Sequence, residues 1–278
     1  MRLGAMHLQE PDDPDVWARS LAAKGYRAAA LLCDVFASMD VIRGFARSAS
    51  GSDITIAEVG AWGNVLRDSE RGTRTEAMER ACRALFVADE IGARCAVNIA
   101  GSLGSSWDGP DEQNLTEETH ALIVDTTRQI IDSVKPSRSF YTLEPMPWMY
   151  PCDIASQRAL IRDIDRTGFG VHFDPVNMIL SPQMYFGNGV FLREFIREFG
   201  PLIKAVHAKD TLLEGKLTVR IIEVRPGMGR LNYRTLLTEL EAVSTDMPLL
   251  IEHLKTEEDY AESARYVSDV AARAGVPL

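Results

Sequence analysis

Cysteine and long apolar segments are both scarce in this sequence of 278 residues. The four cysteines stand singly, without the close spacing of a metal motif or of a disulfide framework: Cys33, Cys82, Cys95 and Cys152. No apolar run approaches the roughly 18–20 residues that a membrane span requires. The first residues also lack the basic and apolar regions of a signal peptide. We therefore expect reduced thiols, a cytoplasmic location and no membrane partner.

Basic residues are also in short supply. Thirty Lys and Arg oppose 40 Asp and Glu, so the formal net charge is −10 at pH 7. A nucleic-acid-binding protein presents a basic face to the phosphates, and we therefore expect no nucleic-acid partner. The hydrophobic fraction of 46% and the charged fraction of 25% are typical of a globular domain, which excludes the disordered and fibrous classes.

What the sequence does contain is a repeated alternation of short apolar runs and longer amphipathic segments. The apolar runs predict buried strands at Met1–Leu8, Tyr26–Cys33, Ile54–Val59, Cys95–Ala100, Phe140–Glu144, Phe169–Asp174, Ile203–Lys209 and Leu249–His253. The amphipathic segments predict helices at Asp15–Lys24, Met39–Ala46, Arg74–Ile91, Glu117–Val134, Ile154–Asp165, Val190–Glu198, Tyr233–Ala242 and Glu257–Ala274. Strands that alternate with helices in this way favour parallel pairing in an α/β fold.

The length of the repeat favours one architecture. Eight units of about 35 residues match a (β/α)8 TIM barrel, which typically has about 250 residues. No Gly-rich phosphate fingerprint follows the first strand, as a dinucleotide-binding sheet would require. No linker divides the chain, so we predict a single barrel domain over residues 1–278. Two long loops, Gly101–Thr116 and Thr211–Leu231, follow predicted strands, where barrel enzymes place the site and its lid.

Acidic and imidazole side chains stand at the ends of the last four predicted strands. Because side chains alternate between the two faces of a strand, Glu144, Asp174, His207 and Glu252 are all expected to point into the barrel. Three converging carboxylates would raise one another's pKa unless a positive charge compensates them. One imidazole and three carboxylates suit manganese, magnesium, iron, cobalt or zinc. The pattern predicts a metal site, with salt bridges at the barrel mouth as the alternative.

Several motifs occupy this same half of the chain. They are LEPMPW at 143–148, HFDPVN at 172–177, VHAKD at 206–210, RPGMG at 225–229 and IEHL at 251–254. Together they resemble the xylose-isomerase-like barrel superfamily, which includes sugar isomerases, ketose 3-epimerases, inosose isomerases and dehydratases, hydroxypyruvate isomerase and endonuclease IV. The resemblance implies one divalent metal ion, manganese first and zinc, magnesium or cobalt as alternatives, held by Glu144, Asp174, His207 and Glu252. It also implies a small carbohydrate or cyclitol as the substrate.

The motifs depart from parts of that superfamily. Asp174-Pro-Val-Asn177 stands where many members have Asp-x-x-His, so a role that needs a histidine there is not expected. The third and fourth predicted strands end without the histidines of the three-metal endonuclease cluster, which argues, with the acidic charge, against DNA repair. The sequence from His207 to Asp210 is closer to the inosose and keto-sugar branches than to the ketose 3-epimerases.

Two further inward-facing groups are candidates for proton transfer. Lys209 could bind a substrate oxygen or move a proton, although a lysine that neutralises carboxylates at the barrel mouth fits the pattern as well. His172 could act as a base or bind a substrate hydroxyl, with a hydrogen-bonded core histidine as the alternative. The predicted catalytic residues are therefore Glu144, Glu252, Lys209 and His172.

Aromatic and basic residues in the predicted loops are candidates for substrate binding. Trp62, Trp107 and Trp148 could pack against the apolar faces of a sugar and exclude water, although each could instead serve packing alone. Arg225 stands beside the two glycines of the RPGMG segment, whose backbone could approach a ligand closely. It could bind a phosphate, a carboxylate or a sugar hydroxyl, or lie at the surface without a ligand.

Three functions remain open. We favour a metal-dependent isomerase or epimerase that moves a proton through an enediolate on a hydroxy-carbonyl sugar, sugar phosphate or cyclitol. The second is a metal-dependent lyase or dehydratase that eliminates water or an aglycone from a keto-cyclitol or a 3-keto-glycoside. The third is a non-enzymatic, metal-stabilised subunit of a larger complex. Assembly into a homo-oligomer or a hetero-oligomer is compatible with all three.

Overall fold

Parallel strands form the centre of the fold in this computed structural model, which describes residues 1–6 and 12–278. The barrel strands are β1 (Arg2–Ala5), β2 (Ala28–Ala30), β3 (Thr55–Gly60), β4 (Cys95–Asn98), β5 (Phe140–Leu143), β6 (Phe169–Phe173), β7 (Ile203–Ala208) and β10 (Pro248–Ile251); β8 (Asp210–Glu214) and β9 (Arg220–Val224) form a separate hairpin. The barrel closes in the order β1-β10-β7-β6-β5-β4-β3-β2. The prediction of an α/β TIM barrel is confirmed.

Helices alternate with the barrel strands. Across the described ranges they are α1 (Pro14–Ala23), α2 (Met39–Gly51), α3 (Arg74–Ile91), α4 (Glu117–Val134), α5 (Ile154–Ile164), α6 (Pro182–Phe199), α7 (Tyr233–Val243) and α8 (Glu257–Ala274). Capping side chains fix several of the starts: the Thr73 side chain accepts a hydrogen bond from the backbone N–H of Glu76 at α3, and Asp153 accepts one from Ser156 at α5. None of the described helices is long and apolar enough to cross a membrane.

The described residues group into two compact units. The first, which we call the terminal unit, consists of Met1–Ala29, Ser48–Thr55 and Phe173–Leu278. The second, the central unit, consists of Ala30–Arg47 and Ile56–His172. A single domain over residues 1–278 stays a prediction.

The predicted elements agree with the structure in type and differ at several ends. The predicted bounds of α3, α4 and α8 coincide with the observed ones. Helix α6 begins at Pro182, eight residues before the predicted start at Val190, because the Ser181 side chain accepts a hydrogen bond from the Met184 N–H and proline fits a first helical turn. Helix α2 continues to Gly51. The last two residues of the predicted strand Met1–Leu8, positions 7 and 8, lie outside the described residues.

The long loop predicted at Thr211–Leu231 contains the β8–β9 hairpin. The two strands pair antiparallel, with Thr211 opposite Glu223 and Leu212 opposite Ile222. Each strand has only five residues. The turn between Glu214 and Arg220 has the sequence Gly-Lys-Leu-Thr-Val, which lacks the Asn-Gly or Asp-Gly pair typical of a tight hairpin. The predicted loop is therefore a structured excursion that leaves the barrel after β7.

One buried carboxylate closes the base of this excursion. Asp210 Oδ1 accepts hydrogen bonds from the backbone N–H groups of Thr211 and Leu231, both at 2.8 Å. Its Oδ2 accepts from the N–H groups of Gly227 at 3.0 Å and Gly229 at 3.1 Å. A Cβ atom on Gly229 would stand 2.3 Å from Asp210 Oδ1, so glycine is required for this approach. The carboxylate joins the first residue of the excursion to its last.

Asp210→Asn should destabilise the protein by about 2–4 kcal/mol, because an amide presents one acceptor oxygen and its NH2 group would face buried N–H donors. Urea denaturation checks this as a lower midpoint with an unchanged slope. Asp269→Asn, on the exposed face of α8, is the matched control and should leave the midpoint in place. A loss below about 0.5 kcal/mol for Asp210→Asn would contradict the anchoring role.

Candidate functional site

Three of the predicted metal ligands lie together in the terminal unit. Asp174 directly follows β6, His207 is in β7 and Glu252 directly follows β10. All three are buried, with exposed fractions of 0%, 0% and 4%. Each offers a ligand atom, and these atoms lie within 4.8 Å of one another. The structure thus brings Asp174, His207 and Glu252 into one group, as the strand-end pattern predicts.

Strand alternation explains why these side chains meet. The Phe173 ring stacks on Phe195 of α6, with ring centroids 4.1 Å apart, so Phe173 faces the helices and the next residue, Asp174, turns to the other face. In the pairing of β10 with β7, Leu250 stands opposite His207 and Ile251 opposite Ala208. The residues that follow in each strand, Glu252 and Lys209, are therefore neighbours at the ends of the two strands.

The Asp174 carboxylate is oriented by its own turn. Its Oδ1 accepts hydrogen bonds from the backbone N–H groups of Val176 at 3.0 Å and Asn177 at 3.3 Å. This turn is the Asp-Pro-Val-Asn segment at positions 174–177. The two hydrogen bonds use one carboxylate oxygen and leave Oδ2 to face the other charged groups.

The His207 ring and the Lys209 ammonium lie against the carboxylates. His207 Nδ1 is 2.8 Å from Glu252 Oε1 and 3.9 Å from Asp174 Oδ2. The Lys209 ammonium, 2% exposed as a side chain, is 2.7 Å from each of those same two oxygens. Burial raises the pKa of Glu252, but the neighbouring His207 ring and Lys209 ammonium outweigh it and hold that pKa below its usual range. Glu252 is therefore a carboxylate at neutral pH.

The donor set fits a divalent cation. Asp174 Oδ2 and Glu252 Oε1 are buried, and the Lys209 ammonium, 2.7 Å from each, compensates their charge. Buried carboxylate oxygens require a cation to compensate their charge. The adjacent imidazole nitrogen of His207 is a ligand that first-row divalent metals accept. The group can serve as a metal site on chemical grounds as well as by proximity.

Glu144, the fourth predicted ligand, belongs to the central unit. It directly follows β5, and its backbone N–H donates to the Asn98 carbonyl at 2.8 Å, which continues the β4–β5 ladder by one step. The residue is 6% exposed. Its position at the carboxyl end of a barrel strand is the one where barrel enzymes carry functional groups.

His172 also belongs to the central unit, inside strand β6. Its Nε2 atom is 3.1 Å from Glu58 Oε2, and both residues are almost completely buried. The alternative that the sequence left open, a hydrogen-bonded core histidine, describes this contact. The pattern did not single out Glu58, because its partner is 114 positions away; its acidic side chain inside the apolar run of β3 was the available signal.

The three predicted tryptophans lie in the central unit with different surroundings. Trp62 lines a cavity of about 600 Å³ together with Phe36 and Arg71. The Arg71 guanidinium covers the Trp107 ring at 4.4 Å from its centroid. The Trp148 Nε1–H donates to the Asp108 carbonyl at 2.6 Å, within the long loop that follows β4. Trp62 therefore faces a cavity, while Trp107 and Trp148 make contacts that hold loops; sugar binding by any of them stays a prediction.

Arg225, the predicted substrate-binding arginine, contacts the last helix. Its guanidinium forms an ion pair with Glu262 and lies 3.4 Å from Asp259, both on α8. It would have to leave these carboxylates to bind a substrate anion. This arrangement fastens the RPGMG segment to α8 in the terminal unit.

The hairpin supplies a charged group that the sequence did not reveal. Glu223, on β9, lies 3.5 Å from the Lys209 ammonium through Oε2. Its other oxygen is 3.3 Å from His253 Nδ1, and this contact raises the pKa of His253. The pairing of β8 with β9 brings Glu223 back to the end of β7, and no periodicity in the loop sequence marks that return.

Several solved structures have a similar fold. Among solved structures, the fold is similar to 3-keto-D-glucoside 4-epimerase from E. coli, with a TM-score of 0.70 and 15% identity over 97% of this chain and 99% of that chain. It is similar to a xylose isomerase-like TIM barrel protein from Mycobacterium smegmatis in complex with magnesium, with a TM-score of 0.67 and 17% identity over 94% and 90%. It is also similar to the probable 3-DHS dehydratase AsbF from Bacillus anthracis, with a TM-score of 0.70 and 13% identity over 98% and 99%.

These identities are low, so the structural likenesses establish the fold alone. A search among curated proteins finds no significant match. The sequence itself matches the family model described as xylose isomerase-like TIM barrel over residues 18–270. That match spans most of the 278 residues, and the chain belongs to the xylose isomerase-like TIM barrel family.

Proposed function

We propose that the protein is a divalent-metal-dependent isomerase or epimerase acting on a hydroxy-carbonyl sugar, sugar phosphate or cyclitol. The observation that carries the proposal is the buried group formed by Asp174, His207 and Glu252 at the ends of parallel strands. Support comes from the family and from similar structures, one of which is a sugar epimerase and another a complex with magnesium.

Glu144 completes the proposed ligand set. Its strand β5 is next to β6 in the barrel order, and it follows β5 as Asp174 follows β6. Three carboxylates and one imidazole suit manganese as the first choice, with zinc, magnesium or cobalt as alternatives.

Some of the site residues would bind the metal ion and others would transfer the proton. A bound cation would hold neighbouring carbonyl and hydroxyl oxygens of the substrate and stabilise the negative charge that develops on them. Since the pKa of Glu252 is held low, Glu252 accepts a proton poorly and is better suited to ligation. Glu144 is then the first candidate to take the proton, and Glu252 the second. Lys209 and His172 are proposed to assist this proton transfer. Lys209 would do so by presenting its ammonium to a substrate oxygen.

A lyase or dehydratase is the second candidate function. It would begin with the same proton abstraction and then expel water or an aglycone from a keto-cyclitol or 3-keto-glycoside. The similarity to a probable dehydratase supports this alternative, and so does the Lys209 ammonium, which could stabilise charge on a departing oxygen. In either case the ligand is a small carbohydrate or cyclitol, and assembly into a homo-oligomer or a hetero-oligomer is compatible with both functions.

His207→Ala and Asp174→Asn should each lower metal content and the gain in thermal stability on adding Mn²⁺. A ligand at one hundred times its Kd stabilises the folded state by about 2.7 kcal/mol, and loss of one ligand removes much of that gain. Elemental analysis and thermal melts provide the measurement. His120→Ala, a helix histidine paired with Asp163 at 2.9 Å, is the matched control and should respond like the wild type. Unchanged metal content in both ligand variants would contradict the site.

Incubation in heavy water with Mn²⁺ and a panel of ketoses, keto-cyclitols and 3-keto-glycosides should give deuterium at the carbon next to the carbonyl of at least one compound. Glu144→Gln, with metal still bound, should slow this exchange by about 10²–10⁴-fold if Glu144 moves the proton. Mass spectrometry measures both. Retained mass apart from deuterium supports the isomerase or epimerase, and a lost water or aglycone supports the lyase. Absence of exchange with every compound, with metal bound, would overturn both and favour the non-enzymatic subunit.

A further inference from the structure

The Lys209 ammonium contacts the oxygens that a metal ion would use. It lies 2.7 Å from Asp174 Oδ2 and 2.7 Å from Glu252 Oε1. Both oxygens belong to buried carboxylates. His207 Nδ1, the proposed nitrogen ligand, is 2.8 Å from the same Glu252 oxygen. Lysine and ligand nitrogen therefore converge on one pair of oxygens.

An ammonium and a divalent cation cannot both hold those positions. A metal ion bound by carboxylate oxygens lies about 2.0–2.2 Å from each of them, and the Lys209 nitrogen is already 2.7 Å from both oxygens. Two like charges that close repel strongly in a buried site. The ammonium must withdraw when a divalent cation takes these oxygens, and it can do so at low cost only if another carboxylate receives it.

Glu223 is in position to receive it. Its Oε2 atom is 3.5 Å from the Lys209 nitrogen, beyond a hydrogen bond and within reach of a small movement of the lysine side chain. Glu223 stands on β9, and the hairpin that carries it is closed at its base by Asp210. Its side chain is 35% exposed, so it can exchange one charged partner for another without leaving a charge buried and uncompensated.

We infer that Lys209 is an internal competitor of the metal ion: it neutralises Asp174 and Glu252 until a divalent cation displaces it to Glu223. The inference rests on the proposed metal site. It makes Glu223 a positioning residue, because it would hold the displaced ammonium beside the site, where the ammonium can face a substrate oxygen. It also explains how the carboxylates of Asp174 and Glu252 can stay buried in the folded protein at any metal concentration.

Titration of each variant with Mn²⁺, followed by electron paramagnetic resonance of the free ion, tests the competition. Lys209→Met should bind Mn²⁺ at least about tenfold more tightly than the wild type, since the competing charge is gone. The same variant without metal should melt at a lower temperature, because two buried carboxylates lose their cation. Lys216→Met, on the same hairpin and paired with Glu214 at 3.2 Å, removes an equal charge from an exposed site and should change neither quantity.

Glu223→Gln supplies the second arm and keeps the test valid if Lys209→Met fails to fold. It should weaken Mn²⁺ binding by about three- to tenfold in the wild-type background, with Glu214→Gln as the matched control. In the Lys209→Met background, Glu223→Gln should have little effect on Mn²⁺ binding, because no displaced ammonium is present for Glu223 to hold. If Glu223 had only a general electrostatic or structural role, Glu223→Gln would weaken Mn²⁺ binding equally in the wild-type and Lys209→Met backgrounds. Unchanged or weaker binding by Lys209→Met, or an equal effect of Glu223→Gln in both backgrounds, would overturn the inference and leave the proposed metal site standing. Failure of the wild type to bind Mn²⁺ would overturn both.

Discussion

Compensation of buried carboxylate charge is the constraint on which the rest of the structure depends. Asp174 and Glu252 are shielded from water, and an uncompensated carboxylate in such a place is strongly destabilising. Strand β7 supplies the compensation, because His207 and Lys209 are two residues apart and share a face, while Ala208 between them is buried on the other side. A single strand thus supplies both the proposed nitrogen ligand and the positive charge that faces these carboxylates.

The barrel, and the grouping of three of the four proposed ligands, could be predicted from the sequence. Both depend on the short repeat of apolar and polar residues along strands and helices. The two-residue period of a strand fixes the face of Asp174, His207 and Glu252, and their grouping agrees with it. The 3.6-residue period and clear ends fix α3, α4 and α8. Glu144 was found by the same strand period and takes the expected place after β5. These features depend on local sequence, which a single chain displays in full.

Features that depend on distant partners could not be predicted. The Glu58–His172 contact joins residues 114 positions apart, and the Arg225 ion pairs join a loop to a helix 37 positions away. The strands of the β8–β9 hairpin are too short for a strong periodic signal in the sequence. Only their pairing brings Glu223 close to Lys209. Helix α6 carried a local start signal in Ser181 and Pro182, but its first turns contain two glycines that lower helix propensity.

Asp210 fixes the two ends of the excursion, and the hairpin between those ends is not part of the barrel. Both ends of the segment meet at one carboxylate, so the entropy of closing the loop is met at its base whatever lies between. The residues between Thr211 and Gly227 could be replaced by another hairpin, or by a longer insert, while the hydrogen bonds to Asp210 stay in place. Such a replacement would change the group that faces Lys209 and leave the ligands untouched. The same scaffold could in this way acquire a different chemistry by grafting a single segment.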